Sequence, residues 1–128
     1  IELDEAYVDG LKDLDGFERI WLLFWCDRAR ACKLQITPYM DTQRRGVFAT
    51  RAPSRPNAIG MSCVKLTGIK RNRLDIEDVD MLDGTPLLDI KPYVAKFDHH
   101  DVARCGWTDQ PPREQTQADN RFFNEESS

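Results

Sequence analysis

The sequence predicts a mainly β protein: a small single-domain β-barrel with little helix, followed by a polar C-terminal tail. Three observations carry this expectation. Short runs rich in aromatic and branched residues recur between turn signals, and only one stretch reads as a helical turn. The segment "MSCVKLTGI" (61–69) alternates with the period of a half-buried strand. A chain of 128 residues with 41% hydrophobic content suffices for one core.

The elements follow in order. Ile1 and Leu3 alternate briefly, and Leu11 and Leu14 form a helical turn between the turn signals Asp9-Gly10 and Asp15-Gly16. "IWLLFWC" (20–26) is too short and too rich in aromatic and branched residues for a helix, and reads as a strand buried on both faces. Val47–Thr50 reads as a short strand before Pro53 and Pro56, each of which holds its predecessor extended. In 61–69, Ser62, Val64, Leu66 and Gly68 share one side, opposite Met61, Cys63, Lys65 and Thr67. "KRNR" (70–73) turns the chain into a strand over 74–82 with Leu74 and Ile76 facing inward. Asp83-Gly84 is the next turn, and "PLLDIKPY" (86–93) is a last strand stopped at Pro92. Residues 1–108 are expected to be the domain and 109–128 an arm or tail, with Phe122 and Phe123 able to dock it on a neighbour.

Charge is segregated. The formal net charge is -4, yet residues 42–73 hold eight basic residues and no acid, leaving ten basic residues against all 22 acids elsewhere. Concentrated like charge costs self-repulsion unless something neutralises it. Two readings stand: an anionic partner such as RNA, or a salt-bridge lattice with the acidic remainder. "RRGVFATRAPSRPNAIG" (44–60) is the centre of that charge, with prolines that stiffen the backbone and arginines whose planar fork suits phosphate or carboxylate.

Several function classes are excluded. No GxGxxG follows a strand, there is no P-loop, and neither Ser54 nor Ser62 sits in a nucleophile elbow. Cys26, Cys32, Cys63 and Cys105 form no CxxC pair, and the adjacent His99 and His100 would point to opposite faces of a strand, so no metal site is expected. The longest apolar run is too short to span a membrane, and no signal-peptide pattern opens the sequence, which leads to the expectation of a cytoplasmic protein without membrane contact. Two polar sites remain. The Asp83-Gly84-Thr85-Pro86 turn offers a carboxylate, an approachable backbone and a hydroxyl, suited to an adenosine-like or amino-acid-like ligand or simply to a tight turn. Asp27-Arg28 lies just past the aromatic strand, where ligand-facing polar groups are common.

Taken together, "RRGVFATRAPSRPNAIGMSCVKL" followed by "DGTPLLDIKPY" resembles the TsaA-like family, whose bacterial members are called TrmO or YaeB. The resemblance spans about residues 1 to 107, including "FERIWLLFW" and Gly106-Trp107. It implies a β-barrel, S-adenosylmethionine-dependent tRNA methyltransferase working as a homodimer and acting on N6 of threonylcarbamoyladenosine beside the anticodon. It further implies a cofactor site of Asp27, Arg28, Arg51, Met61, Asp83, Gly84, Thr85 and Pro86. Arg44, Arg45 and Arg55 are the expected RNA contacts, and Asp83 and Asp89 the two candidates for a proton-accepting carboxylate. Three departures stand out. The family pattern begins with a further strand and a proline-containing loop that contribute to the cofactor pocket, and residue 1 falls after them. His-Gln stands in the family where this chain has Asp27-Arg28. The larger bacterial enzymes also carry a C-terminal domain. The competing reading is a barrel module that binds S-adenosylmethionine or RNA without catalysis.

Overall fold

The structure, a computed structural model, describes residues 1–39 and 41–109. Its elements in chain order are β1 (Arg19–Trp25), β2 (Gln35–Ile36), β3 (Arg45–Gly46), β4 (Ile59–Lys70), β5 (Arg73–Glu77), β6 (Leu87–Pro92) and α1 (Ala95–Asp98), with short 3-10 turns between them. The chain divides into two units, Ile1–Trp25 with Met61–His100, and Cys26–Gly60 with Asp101–Ser128.

The first unit is built on a four-stranded sheet in the order β5-β4-β1-β6. Strand β1 is central, and its alternation puts Ile20 and Leu22 fully out of water while Trp21 and Leu23 are half-buried. Strand β4 alternates as expected, with Ser62 and Val64 buried and Met61, Lys65 and Thr67 exposed. Leu11, Ile20, Leu22, Val64 and Leu74 form the core, closed by half-buried Ile1, Leu3 and Leu14 among others. Burying each large aliphatic side chain contributes roughly 1.5–3 kcal/mol. The opening residues join the sheet edge: Glu2 bridges Arg73, and the Leu3 N–H donates to Asn72 O at 2.8 Å.

Lys70 pairs with Arg73 across a two-residue hairpin whose first residue, Arg71, has φ 54°. Strand β6 pairs antiparallel with β1, and a register shift between Leu23 and Phe24 skips Leu88, which stays exposed.

Among its described residues the second unit has little regular structure. Strands β2 and β3 pair for two residues each, and Ile36, Val47 and Ala52 are buried.

Three expectations are corrected. The sheet is not closed: β5 and β6 stand at its ends among the described residues, so no barrel is formed there. The strand expected over Val47–Thr50 is instead a 3-10 turn over Val47–Ala49. Thr50 Oγ1 donates back to Val47 O at 2.8 Å, which diverts the backbone from a ladder. The strand expected over 74–82 ends at Glu77, because Asp78 takes a left-handed φ of 66°. The expected tail lies outside the described residues from Gln110 onward.

Candidate cofactor site and arginine loop

In the first unit the nine residues between β5 and β6 carry the Asp83-Gly84-Thr85-Pro86 turn. Gly84 has φ 80°, a conformation glycine adopts without steric cost, and the Thr85 N–H donates to Leu82 O at 3.2 Å to close the turn. At its exit, the Trp25 N–H donates to Pro86 O at 2.9 Å, tying the turn to the end of β1. Upstream, Ser62 Oγ donates to Asp80 Oδ1 at 3.0 Å and Arg19 Nη2 to Asp78 Oδ2 at 3.0 Å.

Asp83, Gly84 and Thr85 line an open groove of about 1170 Å³ in this unit. Its polar lining is lopsided: Glu2, Asp4, Asp13, Asp83 and Asp89 face one amine, that of Lys12. The remainder is largely apolar, including the exposed Tyr7, Leu82 and Leu88. Such a surface repels phosphate and favours a cation that carries apolar surface.

The two carboxylate candidates differ. Asp89 lies 3.0 Å from Lys91 Nζ. The Lys91 hydrogen bond, aided by the Ile90 N–H, outweighs the small cost of desolvation and holds the Asp89 carboxyl below its ordinary range. A carboxylate stabilised in its charged form is a poorer proton acceptor. Met61, on β4, is 45% exposed.

In the second unit the arginines do different work. Arg45 Nε donates to Asp41 Oδ2 at 2.8 Å, and its guanidinium lies 5.7 Å from the ring centre of Trp107. Trp107 Nε1 in turn donates to Ala49 O at 2.7 Å. Arg55 Nη1 donates to Thr50 O at 2.8 Å and Ala52 O at 3.2 Å, gathering the loop carbonyls onto one guanidinium. Arg44 is exposed and donates to Gln35 O at 3.3 Å. Arg51 is exposed at the crest of the same loop. Asp27 and Arg28 form the turn after β1, their charged groups 3.8 Å apart.

Cys26, which opens this unit, is held in the thiol form: burial raises its pKa, Asp27 adds to that, and Arg55 opposes it less strongly.

The structure therefore brings Asp83, Gly84, Thr85 and Asp89 to one groove of the first unit, leaves Pro86 out of its lining, and sets Arg44, Arg45, Arg51 and Arg55 on one stretch of the second. Sequence reasoning missed Asp41, Trp107, Ser62, Asp80, Asp78 and Arg19. Ser62 carried a readable signal, a hydroxyl on the inward side of β4 that needs a partner.

Residues 1–99 match the family model of the tRNA-methyltransferase O N-terminal domain. The chain belongs to that family. A Pyrococcus abyssi relative named "Probable S-adenosyl-L-methionine-binding protein" is 48% identical over 125 residues, covering 96% of this chain and 68% of its own. The human protein named "tRNA (adenine(37)-N6)-methyltransferase" is 40% identical over 92 residues, covering 70% of this chain and 21% of its own. A crystal structure of TrmO from Pseudomonas aeruginosa superposes with a TM-score of 0.68 at 42% identity, covering 83% of this chain. The chain spans about half the length of that structure, 46% of it.

Proposed function

We propose that this chain is an S-adenosylmethionine-dependent methyltransferase that methylates N6 of an adenosine in tRNA, with threonylcarbamoyladenosine beside the anticodon as its substrate. Membership of a family named for tRNA methylation, over residues 1–99, carries this reading.

The groove of the first unit supports a cofactor assignment. S-adenosylmethionine bears a sulfonium and an ammonium beside one carboxylate, a net positive charge that the excess of carboxylates in the groove suits. When bound, it supplies an electrophilic methyl group for direct displacement, with no metal required. Asp83, Gly84 and Thr85 line that groove and hold the cofactor in this reading; Pro86, Met61, Arg51, Asp27 and Arg28 are assigned to cofactor binding by the family resemblance alone. Alignment of the acceptor nitrogen is then the main task, and such positioning is worth about 7–11 kcal/mol. As the N6–carbon bond forms and the carbon–sulfur bond breaks, the N6 proton must leave. Asp83 and Asp89 are the candidate acceptors, and the Lys91 bond makes Asp89 a weaker base than an ordinary carboxylate.

On the RNA side, Arg44 contacts phosphate directly. Arg45 and Arg55 contribute largely by holding the loop, since Asp41 and the loop carbonyls already engage them. The acidic groove keeps the RNA backbone away while the adenosine enters. A homodimer accords with the exposed apolar side chains of the groove, and a tRNA substrate accords with a cytoplasmic location.

Relatives named only for binding keep a second reading in play, a non-catalytic S-adenosylmethionine- or RNA-binding module. Incubation with methyl-labelled S-adenosylmethionine and total tRNA separates the two. Label in the RNA supports the enzyme, whereas saturable cofactor binding with unlabelled RNA supports the module.

A further inference from the structure

Between Glu77 and Leu87 the chain has no strand or helix to fix it, yet this segment carries the turn that faces the groove. Its exit is tied by the Trp25 N–H to Pro86 O. Its entrance is held by side chains alone in two places. Ser62 lies on the inward side of β4, 8% exposed, and its hydroxyl donates to Asp80 Oδ1 at 3.0 Å. Arg19, at the start of β1, donates Nη2 to Asp78 Oδ2 at 3.0 Å and Nη1 to the Cys63 carbonyl at 3.4 Å. Asp78 has φ 66°, a left-handed conformation that aspartate tolerates better than most non-glycine residues and that the Arg19 bond accompanies.

A structural explanation of these contacts is incomplete. The residues they fix are themselves exposed: Asp78, Val79, Asp80 and Leu82 all face water, and only Met81 packs on the core. Burial therefore contributes little to holding the segment. The hydrogen bonds instead determine where Asp83, Gly84 and Thr85 stand, three to five residues downstream of Asp80.

We propose that Ser62 and Arg19 are positioning residues for the ligand-binding turn, acting through Asp80 and Asp78 to set the turn's position for S-adenosylmethionine. This rests on the cofactor reading given above. Neither residue touches the ligand. Each is a strand residue that restrains the entrance of this loop, lowering the ordering cost of binding.

The test is isothermal titration of S-adenosylmethionine into wild type, Ser62→Ala, Asp80→Asn and the double variant, with melting temperature measured for each. Ser62→Thr, which keeps the hydroxyl, serves as the rescue variant. Thr67→Val is the control, because Thr67 makes a comparable bond to Asp75 O at 3.0 Å on the same sheet, away from the turn. Each single variant is expected to weaken cofactor binding about five- to tenfold, and the double variant no further, because both remove the same link. Ser62→Thr should restore affinity, and Thr67→Val should leave it unchanged. In turnover, KM for S-adenosylmethionine should rise while KM for tRNA holds.

If Ser62→Ala lowers the melting temperature but binds cofactor like wild type, the contact is merely structural and the proposal is wrong. Equal weakening by Thr67→Val overturns it as well. Wild type that fails to bind S-adenosylmethionine overturns the cofactor reading itself, a result distinct from either.

Discussion

Arg45 Nε stands 2.8 Å from Asp41 Oδ2, with 5% of the Asp41 side chain and 19% of the Arg45 side chain exposed. Removing either partner leaves a desolvated charge behind. Arg45→Ala is expected to cost about 3 kcal/mol, near the low end for a broken buried pair. Chemical denaturation reads this directly, and a loss under about 1 kcal/mol would return Arg45 to a surface role. Burial by itself raises the Asp41 pKa, but the bonds from Arg45 and from the Gln43 and Thr42 N–H groups outweigh it, leaving the carboxyl below its ordinary value of 3.8. Its stabilising contribution is therefore complete above that value and is lost as pH falls through the lower folded value. Asp41→Asn should flatten that acid limb of the stability curve.

Arg51 and Arg44 should separate by ligand. Arg51→Ala is expected to weaken S-adenosylmethionine binding without RNA by about 1.5–3 kcal/mol, the usual worth of a charge-assisted hydrogen bond. Arg44→Ala should leave cofactor affinity alone and lower the salt slope of tRNA binding by roughly one unit. Salt-dependent binding of both variants checks this, and identical behaviour would mean that the loop does not divide its labour.

Gly84→Ala puts a side chain on a residue with φ 80°. The strain is about 1–2 kcal/mol. It should appear as weaker cofactor binding with a smaller loss of global stability, since the turn is an exposed part of the fold. Calorimetry of binding and of unfolding on one sample distinguishes the two.

The carboxylates give a rate prediction. Asp83→Asn should slow methyl transfer about a hundredfold, the lower range for general base catalysis. Asp89→Asn should change the rate less, because the Lys91 hydrogen bond already lowers the basicity of that carboxylate. Single-turnover rates at saturating tRNA measure it, and the reverse order would make Asp89 the acceptor.

Much of the sheet was legible because alternation is a local property. Ser62, Val64 and Leu74 face inward as their spacing requires. The arginine stretch was legible as charge but not as structure. Asp41 is the acid immediately before the acid-free segment of residues 42–73, and it engages Arg45 through a loop that no periodicity announces. Arg71 and Arg73 likewise pair with Glu5 and Asp75, so part of the basic excess is answered inside the chain by exposed pairs worth little each. Pattern could not give the open edges of the sheet, since closure depends on long-range pairing, nor the irregular backbone around Val47–Thr50, which side-chain-to-backbone bonds shape. In the candidate site, Asp83–Pro86 stood out by composition, whereas the partners that restrain it lie roughly twenty and sixty residues away.

The central claim is tested most directly by locating the transferred methyl group. Wild-type protein, S-adenosylmethionine and tRNA with or without threonylcarbamoyl modification would be incubated, then digested to nucleosides and resolved by mass spectrometry. A methyl group is expected on N6 of the threonylcarbamoylated adenosine and none on the unmodified tRNA. Methylation of another base, or cofactor binding with no methylated nucleoside from either tRNA, would contradict it.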